Sequence, residues 1–534
     1  MNRGDLSRRE MLQRSARAGL GLAAGLSLDL VTPWKTWGET PRRGGILTLR
    51  IPGDPPNFDL HQNTTYMVNH VVTPCYNQLV QYNPLNPDEI IPDLAERWEM
   101  GADGKSYTFF LRKGVKFHDG SFLTSADVQF SLDRIRQPPS GVVSPRAKTL
   151  STIDGIETPD AHTVRIILKR PNPSLLAALA IGFTAIYPKH VVEREGDMKR
   201  TVVGTGPFKF KRYTRGVSIE LERNPDYFIP GRPYLDGITI FIMPDTNTAY
   251  AAFRTGRLHM LRLSASLAQR ARGELGERIV IQKVPAYLFD TFVMNSRQKP
   301  WNDIRVREAV SLAIDREAAI KVLGDGEGIV GGYMPPLGAW ALPKEDLLQV
   351  PGYGPNKEAD RERARQLLAD AGYPRGFKTT LLTRKAFERL GVFVKDQLAR
   401  IGIEGRVDVK ETATAFDLVN KRSFDSSPWP FGTSIDDPDS IFGEFYTCQS
   451  VRNYSGVCVP EVDELFVRQS QTLDVTARKR LVNEMERKAL PHFGKVILLW
   501  YYDFLGHWPY VRNYRKHPSL YNNNRMQDVW LAKA

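Results

Sequence analysis

The sequence predicts a mixed α/β protein whose lobes are woven from several passes of one chain. Three observations carry this. Strand alternation and helical periodicity intermix along the chain and do not segregate into separate blocks. No Ser/Gly-rich linker, internal repeat or low-complexity segment divides it. At 534 residues it exceeds one ordinary core and leaves room for about two to four domains.

The elements follow in order. "GGILTLRIPGDPPNFDL" reads as a strand and then a proline-rich loop. "GADGKS" at 101–106 superficially suggests a phosphate-binding loop, but Glu99 stands where that loop needs its first glycine. Tyr107, Phe109 and Leu111 then alternate with polar residues, so this is an Asp-Gly turn between two strands. "TSADVQFSLDRI" begins a helix capped by Thr124 or Ser125, with Val128, Leu132 and Ile135 on one face. "HTVRIILKR" is a strand, and "VGTGPFKFKRYTRGVSIELERNPDY" carries a glycine turn and two more. Asp303 caps a helix that aligns Val306, Ala309, Val310, Ala313 and Ile314. Ala364, Leu367, Leu368 and Ala371 repeat the pattern until Gly372 and Pro374 stop it. "AFERLGVFVKDQLARIGIEGRVDVKE" is a helix, a glycine stop and a strand.

The N-terminus has the order of an export signal. Arg8-Arg9 precede a weakly apolar, glycine-rich run from Ala18 to Leu28, too short to span a bilayer. Ser7-Arg8-Arg9 with Met11-Leu12 resembles a twin-arginine signal. The alternative is a basic amphipathic helix, which so many glycines disfavour. Of the net charge of +13, residues 1–43 hold eight Lys/Arg against four Asp/Glu. The rest is dispersed, and no basic run with interleaved aromatics marks a nucleic-acid partner. Cys448 and Cys458 bound a short loop that they could close in an oxidising compartment; free thiols are the alternative. Cys75 reads as a small buried hydrophobe.

Catalytic signatures are missing. No G-x-S-x-G or H-E-x-x-H occurs, the G-x-G-x-x-G letters at 326–331 run into Pro335-Pro336 and not into the helix a Rossmann turn needs, and His492, His507 and His517 lack a ligand spacing. Asp436, Asp437 and Asp439 form the densest acidic cluster, in "GTSIDDPDSIF", without the spacing of a calcium loop. The chain is therefore expected not to be an enzyme and to carry no cofactor.

Residues 92–135, "PDLAERWEMGADGKSYTFFLRKGVKFHDGSFLTSADVQFSLDRI", closely resemble the signature of family 5 extracellular solute-binding proteins, the peptide/nickel-binding group that feeds ABC importers. "VGTGPFKF", "LERNPDYF", "PWNDIRVREAVSLAIDRE", "LLADAGYP" and "VPEVDELF" follow in family order. The resemblance implies a two-lobed, periplasmic-binding-protein-like clamp of class II with an additional N-terminal subdomain. Residues 44–85, 200–290 and 497–534 should form the first lobe, 86–199 the extra subdomain and 291–496 the second lobe, after a signal and N-terminal segment at 1–43. "CQSVRNYSGVC" looks like the family's second-lobe disulfide loop, which pairs Cys448 with Cys458.

It also implies a function. A monomeric periplasmic protein would trap a peptide or peptide-like small molecule between its lobes and deliver it to membrane permease subunits. An exported receptor or chaperone on the same fold, with an opine-like, glycosylated or anionic ligand, is the alternative. Peptide-binding members clamp the ligand ammonium with an aspartate, and the Asp437-Pro438 step aligns that position with Ser434 and the family tryptophan with Phe431. A neutral hydroxyl gives no charge-assisted bond, so Asp436 becomes the candidate acid. Asn57, Phe58 and His61, in the loop matching the family's "LDP" segment, and Thr205 in the "GTGP" turn complete the expected ligand-binding set with Asp437.

Overall fold

The computed structural model describes residues 40–450 and 452–533. The expected export signal, with Arg8 and Arg9, lies outside the described residues. The chain divides into a segment Met1–Pro41 and a compact unit Arg42–Ala534. The unit mixes helices and sheets in a two-lobed arrangement.

The first core packs around a four-stranded sheet in the order Ile46–Ile51, Gly237–Ile242, Ser218–Arg223, Phe208–Thr214. Ile46–Ile51 runs parallel to Gly237–Ile242, a pairing across some 190 residues that no local turn could make. Residues 181–198 and the C-terminal return near 505–531 also bury side chains in this core.

A second sheet, Ala95–Met100, Ser106–Leu111, Thr163–Leu168 and Ile153–Asp160, is antiparallel throughout and packs on Ser125–Arg136. The helix starts as the sequence requires: Asp127 Oδ2 accepts the Thr124 amide at 2.9 Å, and Val128, Leu132 and Ile135 are buried. "GADGKS" closes a hairpin, with the Gly101 amide donating to Ser106 O at 2.9 Å. Gly104 has φ +67°, a left-handed conformation that favours glycine.

The third sheet has six strands in the order Met260–Leu263, Lys495–His507, Val280–Met294, Ser426–Gly432, Lys378–Arg384, Glu404–Lys410. Its two long members cross between the bodies. Residues 280–285 pair with 502–507 beside a core that contains Leu261, Leu263 and Phe504. Residues 289–293 pair with 495–500 inside the second lobe's core, around Phe289 and the fully buried Trp500. The register breaks between Pro285 and Phe289, at the passage from one body to the other. Helix Ile304–Ala313 covers the second core, capped by Asp303, which accepts the Arg305 amide at 2.9 Å. Ile314 is buried too, but extended, because the helix stops one residue earlier than its apolar face suggests.

Candidate cleft between the lobes

The segment that leaves strand Ser426–Gly432 runs along the junction of the two lobes. The Thr433 amide donates to Tyr287 O at 3.0 Å on the crossing strand. Ile435 inserts into the first core, and Asn522 Nδ2 donates to Ser434 O at 3.4 Å. Here Thr433 turns the chain by accepting the Ile435 amide, and Asp437 stops the turn by capping helix Pro438–Phe445 through the Asp439 amide at 2.8 Å.

Asp437 and Asp436 are neighbours with different tasks. Asp437 is buried and fully engaged: Arg478 donates to both its oxygens at 3.1 Å, and Ser174 Oγ donates at 2.7 Å. Arg478 donates in turn to Ser174 Oγ at 2.9 Å, and Ser174 donates also to Asp439 Oδ2 at 3.0 Å. Ser174, which directly precedes Leu175 of the second sheet's core, thus reaches Asp437, Asp439 and Arg478 with its hydroxyl.

Asp436 is held by one oxygen only. Its Oδ2 accepts the Ala339 amide at 3.0 Å, and its carbonyl accepts Trp340 Nε1 at 3.0 Å. Among the described residues its Oδ1 is buried with no partner. Burial raises this carboxyl to about 7, with Asp437 and Asp88 adding to the rise. A Cβ on Gly338 would meet Oδ2 at 2.2 Å, so the approach of this loop depends on glycine. Around the acid stand Tyr82 and Tyr287, with the His517 ring 5.2 Å and 6.3 Å from theirs. Burial holds both phenols well above their ordinary range, and the charge of Asp436 acts on each. Burial also lowers His517 to about 3, so this imidazole is neutral.

Cations gather near Tyr521. Arg146 lies over the Phe183 ring at 3.4 Å and donates to Asn63 O at 2.6 Å. Among the described residues no carboxylate is within ion-pair distance of it, and burial lowers it to about 10. Arg452, paired with Glu444 at 2.8 Å, comes from the second lobe, and Tyr521 feels Arg146, Arg452 and Glu444.

The other expected residues sit elsewhere. Phe431 is buried in the second core, stacked on Phe289 at 5.7 Å, with Lys495 Nζ 4.9 Å from its ring. His61 is buried against Tyr187 at 4.0 Å, bonded to Ala185 O at 2.8 Å, and lowered to about 3 by burial and Arg134. Asn57 Oδ1 accepts the Asp59 amide and Asn63 Nδ2, which shapes its own loop, and Phe58 packs on Phe210 and Tyr213. Thr205 donates to Asn77 at 3.1 Å. Among the described residues, none of these first-lobe four bonds to or stacks on residues 431–437. Cys448 and Cys458 form a disulfide, and Cys75 is buried and free. No group of three His, Cys, Asp or Glu among the described residues is placed to hold a metal.

Sequence reasoning passed over Tyr82, Tyr287, Arg146, Ser174 and Arg478, and met His517 only as one of three histidines without a ligand spacing. Each is an isolated residue brought in from a distant part of the chain, with no motif around it.

The chain matches known proteins along most of its length. The model of the bacterial extracellular solute-binding proteins, family 5 Middle, covers residues 89–453. The oligopeptide-binding protein AppA of Bacillus subtilis is 29% identical, over 92% of this chain and 93% of that one. The dipeptide-binding protein of Escherichia coli is 26% identical, over 81% and 85%. Among solved structures, the periplasmic binding protein DppA of Helicobacter pylori, in complex with the peptide STSA, superposes with a TM-score of 0.79 at 26% identity, covering 92% of this chain and 99% of its own. The binding protein AgaA of A. tumefacien R10, in complex with agropinic acid, gives 0.76 at 26% identity, over 91% and 99%. With the fold, the crossing strands and these matches together, this chain belongs to the family 5 bacterial extracellular solute-binding proteins.

Proposed function

We propose that this protein is the ligand-capturing component of an ABC importer, closing its lobes around a peptide or peptide-like small molecule and presenting it to membrane permease subunits. Asp436 carries the reading. A carboxylate oxygen buried without a partner is costly, and a ligand ammonium would supply the missing charge-assisted bonds. Arg146, half-buried and with no carboxylate within ion-pair distance among the described residues, offers the complementary site for an anionic end of the ligand. The relatives named for oligopeptides and dipeptides, and the peptide-bound structural neighbour, support the ligand class.

Of the expected set, Asp436 is the direct contact, and Asp437 acts through the lobes it joins. Asn57, Phe58, His61, Thr205 and Phe431 would act only through the packing of the cores and loops that hold them, and Ser434 borders the acid as a neutral neighbour. The lobe divisions 44–85, 86–199, 200–290, 291–496 and 497–534 are part of the same proposal, with the crossing strands as hinge. Export by the twin-arginine route to the periplasm, action as a monomer and release of the ligand unaltered complete it. They rest on Arg8-Arg9 and on the missing catalytic motifs.

One observation favours a second ligand class. Ser434 stands where peptide-binding members place their aspartate, so a non-peptide amine, such as an opine-like molecule, would fit the shifted acid equally well. A ligand must favour the closed over the open state by several kcal/mol to drive closure, roughly 5.5 for a near-complete switch. Titration calorimetry and solution scattering over short peptides and amino-acid conjugates test the proposal. Heat and compaction together support it; neither, across the whole panel, removes it.

A further inference from the structure

Beside the cleft, the first lobe holds a pocket under the C-terminal segment "YNNNRMQDV", residues 521–529. Thr73, Gln78, Gln81, Tyr82, Asn522 and Arg525 line it. Four of these carry buried polar atoms without a partner: Thr73 Oγ1, Gln78 Nε2, Asn522 Oδ1 and Arg525 Nε. The four residues are only 5%, 2%, 5% and 6% exposed. Native interiors leave few such atoms, and a wall that gathers four of them lacks something that belongs there.

The chemistry of the wall narrows what that is. Arg525 is neutralised by Asp93, 2.7 Å away, and also donates to Gln81 Oε1 at 2.8 Å and to Gln78. Asp528, the other charged residue of the lining, is paired with Arg232 at 2.6 Å, so the two lining charges are both compensated. The open positions are two donors, one acceptor and one hydroxyl that does both. A hydroxyl group donates and accepts at a single atom, so a small surface of several hydroxyls answers such a mixed set. Tyr82 and Tyr521, also in the lining, offer flat faces to the C–H surface of a ring.

The backbone adds an independent sign. Asn513, Asn523 and Met526 line the pocket, and all three adopt left-handed conformations, at φ 58°, 58° and 61°. Asparagine tolerates this region, but a long side chain such as Met526 is strained there. Strain of this kind persists where the surroundings over-determine it, and it clusters at ligand clamps. Gly182 belongs to the same wall: a Cβ there would stand 2.7 Å from Asn69 Nδ2 and 3.0 Å from Thr73 Oγ1.

We propose that this pocket is a subsite for an uncharged, multiply hydroxylated group of the ligand, a sugar-like moiety carried next to the amine. The proposal rests on the reading of the cleft as the ligand site, because Tyr82 lines the pocket and borders Asp436.

The test uses the full exported chain and a matched pair of probes, Ser-Ala and the same dipeptide with one hexose O-linked to the serine. Calorimetry should give at least tenfold tighter binding for the glycosylated dipeptide. Thr73→Val should erase most of that advantage and leave Ser-Ala binding unchanged. The melting temperature of this variant should not fall, since the hydroxyl has no protein partner to lose. Gln78→Leu, read the same way, is the second variant. Methyl glucoside, followed by ligand-observed NMR, separates the two readings: binding that Thr73→Val abolishes supports the subsite even where neither dipeptide binds. Equal affinities for the two dipeptides, or a hexose advantage untouched by both variants, would mean that the pocket holds only water. No methyl glucoside binding together with no hexose advantage overturns the proposal.

Discussion

Ser174 Oγ donates to Asp437 Oδ1 at 2.7 Å, across the junction between the body of the second sheet and the second lobe. Arg478 binds both partners, so one hydroxyl completes a buried ionic cluster. Separation of the bodies would leave that cluster one donor short. A hydrogen bond to a charged group contributes about 1.5–3 kcal/mol. Ser174→Ala should therefore shift the population toward the open form and weaken ligand binding by roughly tenfold. Scattering and calorimetry check this, and an unchanged profile with unchanged affinity would remove the contact from closure.

Arg478→Met attacks the same cluster differently. It leaves Asp437 and Asp439 buried without their cation, which typically costs about 3–5 kcal/mol. The midpoint of thermal unfolding should fall well below that of Ser174→Ala, as scanning calorimetry would show.

On the proposed function, Asp436 should govern the pH dependence of ligand capture. With its carboxyl at about 7, raised by burial, only a minority is ionised at pH 6 and most at pH 8. Affinity for an ammonium-bearing ligand should rise about tenfold across that interval, as one carboxylate becomes available. Asp436→Asn should bind weakly at both pH values. A wild-type affinity that is flat or falls with pH would exclude the acid from the ligand's amine.

Glu486 provides a stability test away from the cleft. Its Oε1 accepts the Tyr333 and Met334 amides, its Oε2 is buried without a partner, and burial raises it to about 8. The folded state therefore keeps a proton that the unfolded chain releases near its ordinary value of 4.5. Stability is full below that value and declines as pH rises, levelling off above about 8. Each unit of difference is worth about 1.4 kcal/mol, so the decline should amount to a few kcal/mol. Glu486→Gln should flatten it, and equal slopes for both proteins between pH 5 and 9 would refute the assignment.

Reduction of Cys448–Cys458 opens a loop with a sequence separation of 10. Loop entropy assigns such a link roughly 3 kcal/mol. Thermal unfolding under reducing conditions should shift down accordingly.

Much of the fold was legible in the sequence because it is written in short-range patterns. Thr124 with Asp127, Asp303 before Val306, and Gly104 in its turn each act within a few residues. The place of Asp436 in the chain is likewise local, one residue before the Asp-Pro step, while its role at the ligand belongs to the proposal. The partners of the acid were not. Tyr82, Tyr287 and His517 are separated by some 200 residues at each step, and only the parallel pairing of Ile46–Ile51 with Gly237–Ile242 and the crossing strands bring such passes together. Asp437 read as a pocket residue from its neighbourhood; its helix cap is local, but its ion pair depends on Arg478, 41 positions on.

The crossing strands have a consequence for anyone who would dissect the molecule. Val280–Met294 and Lys495–His507 each spend one half in either body, as continuous members of one sheet. A cut at the register break would strip both fragments of a paired strand and bare long apolar edges to solvent. Neither half can be prepared alone as a soluble miniature: expressed separately, each should precipitate, and co-expression should be needed to recover either.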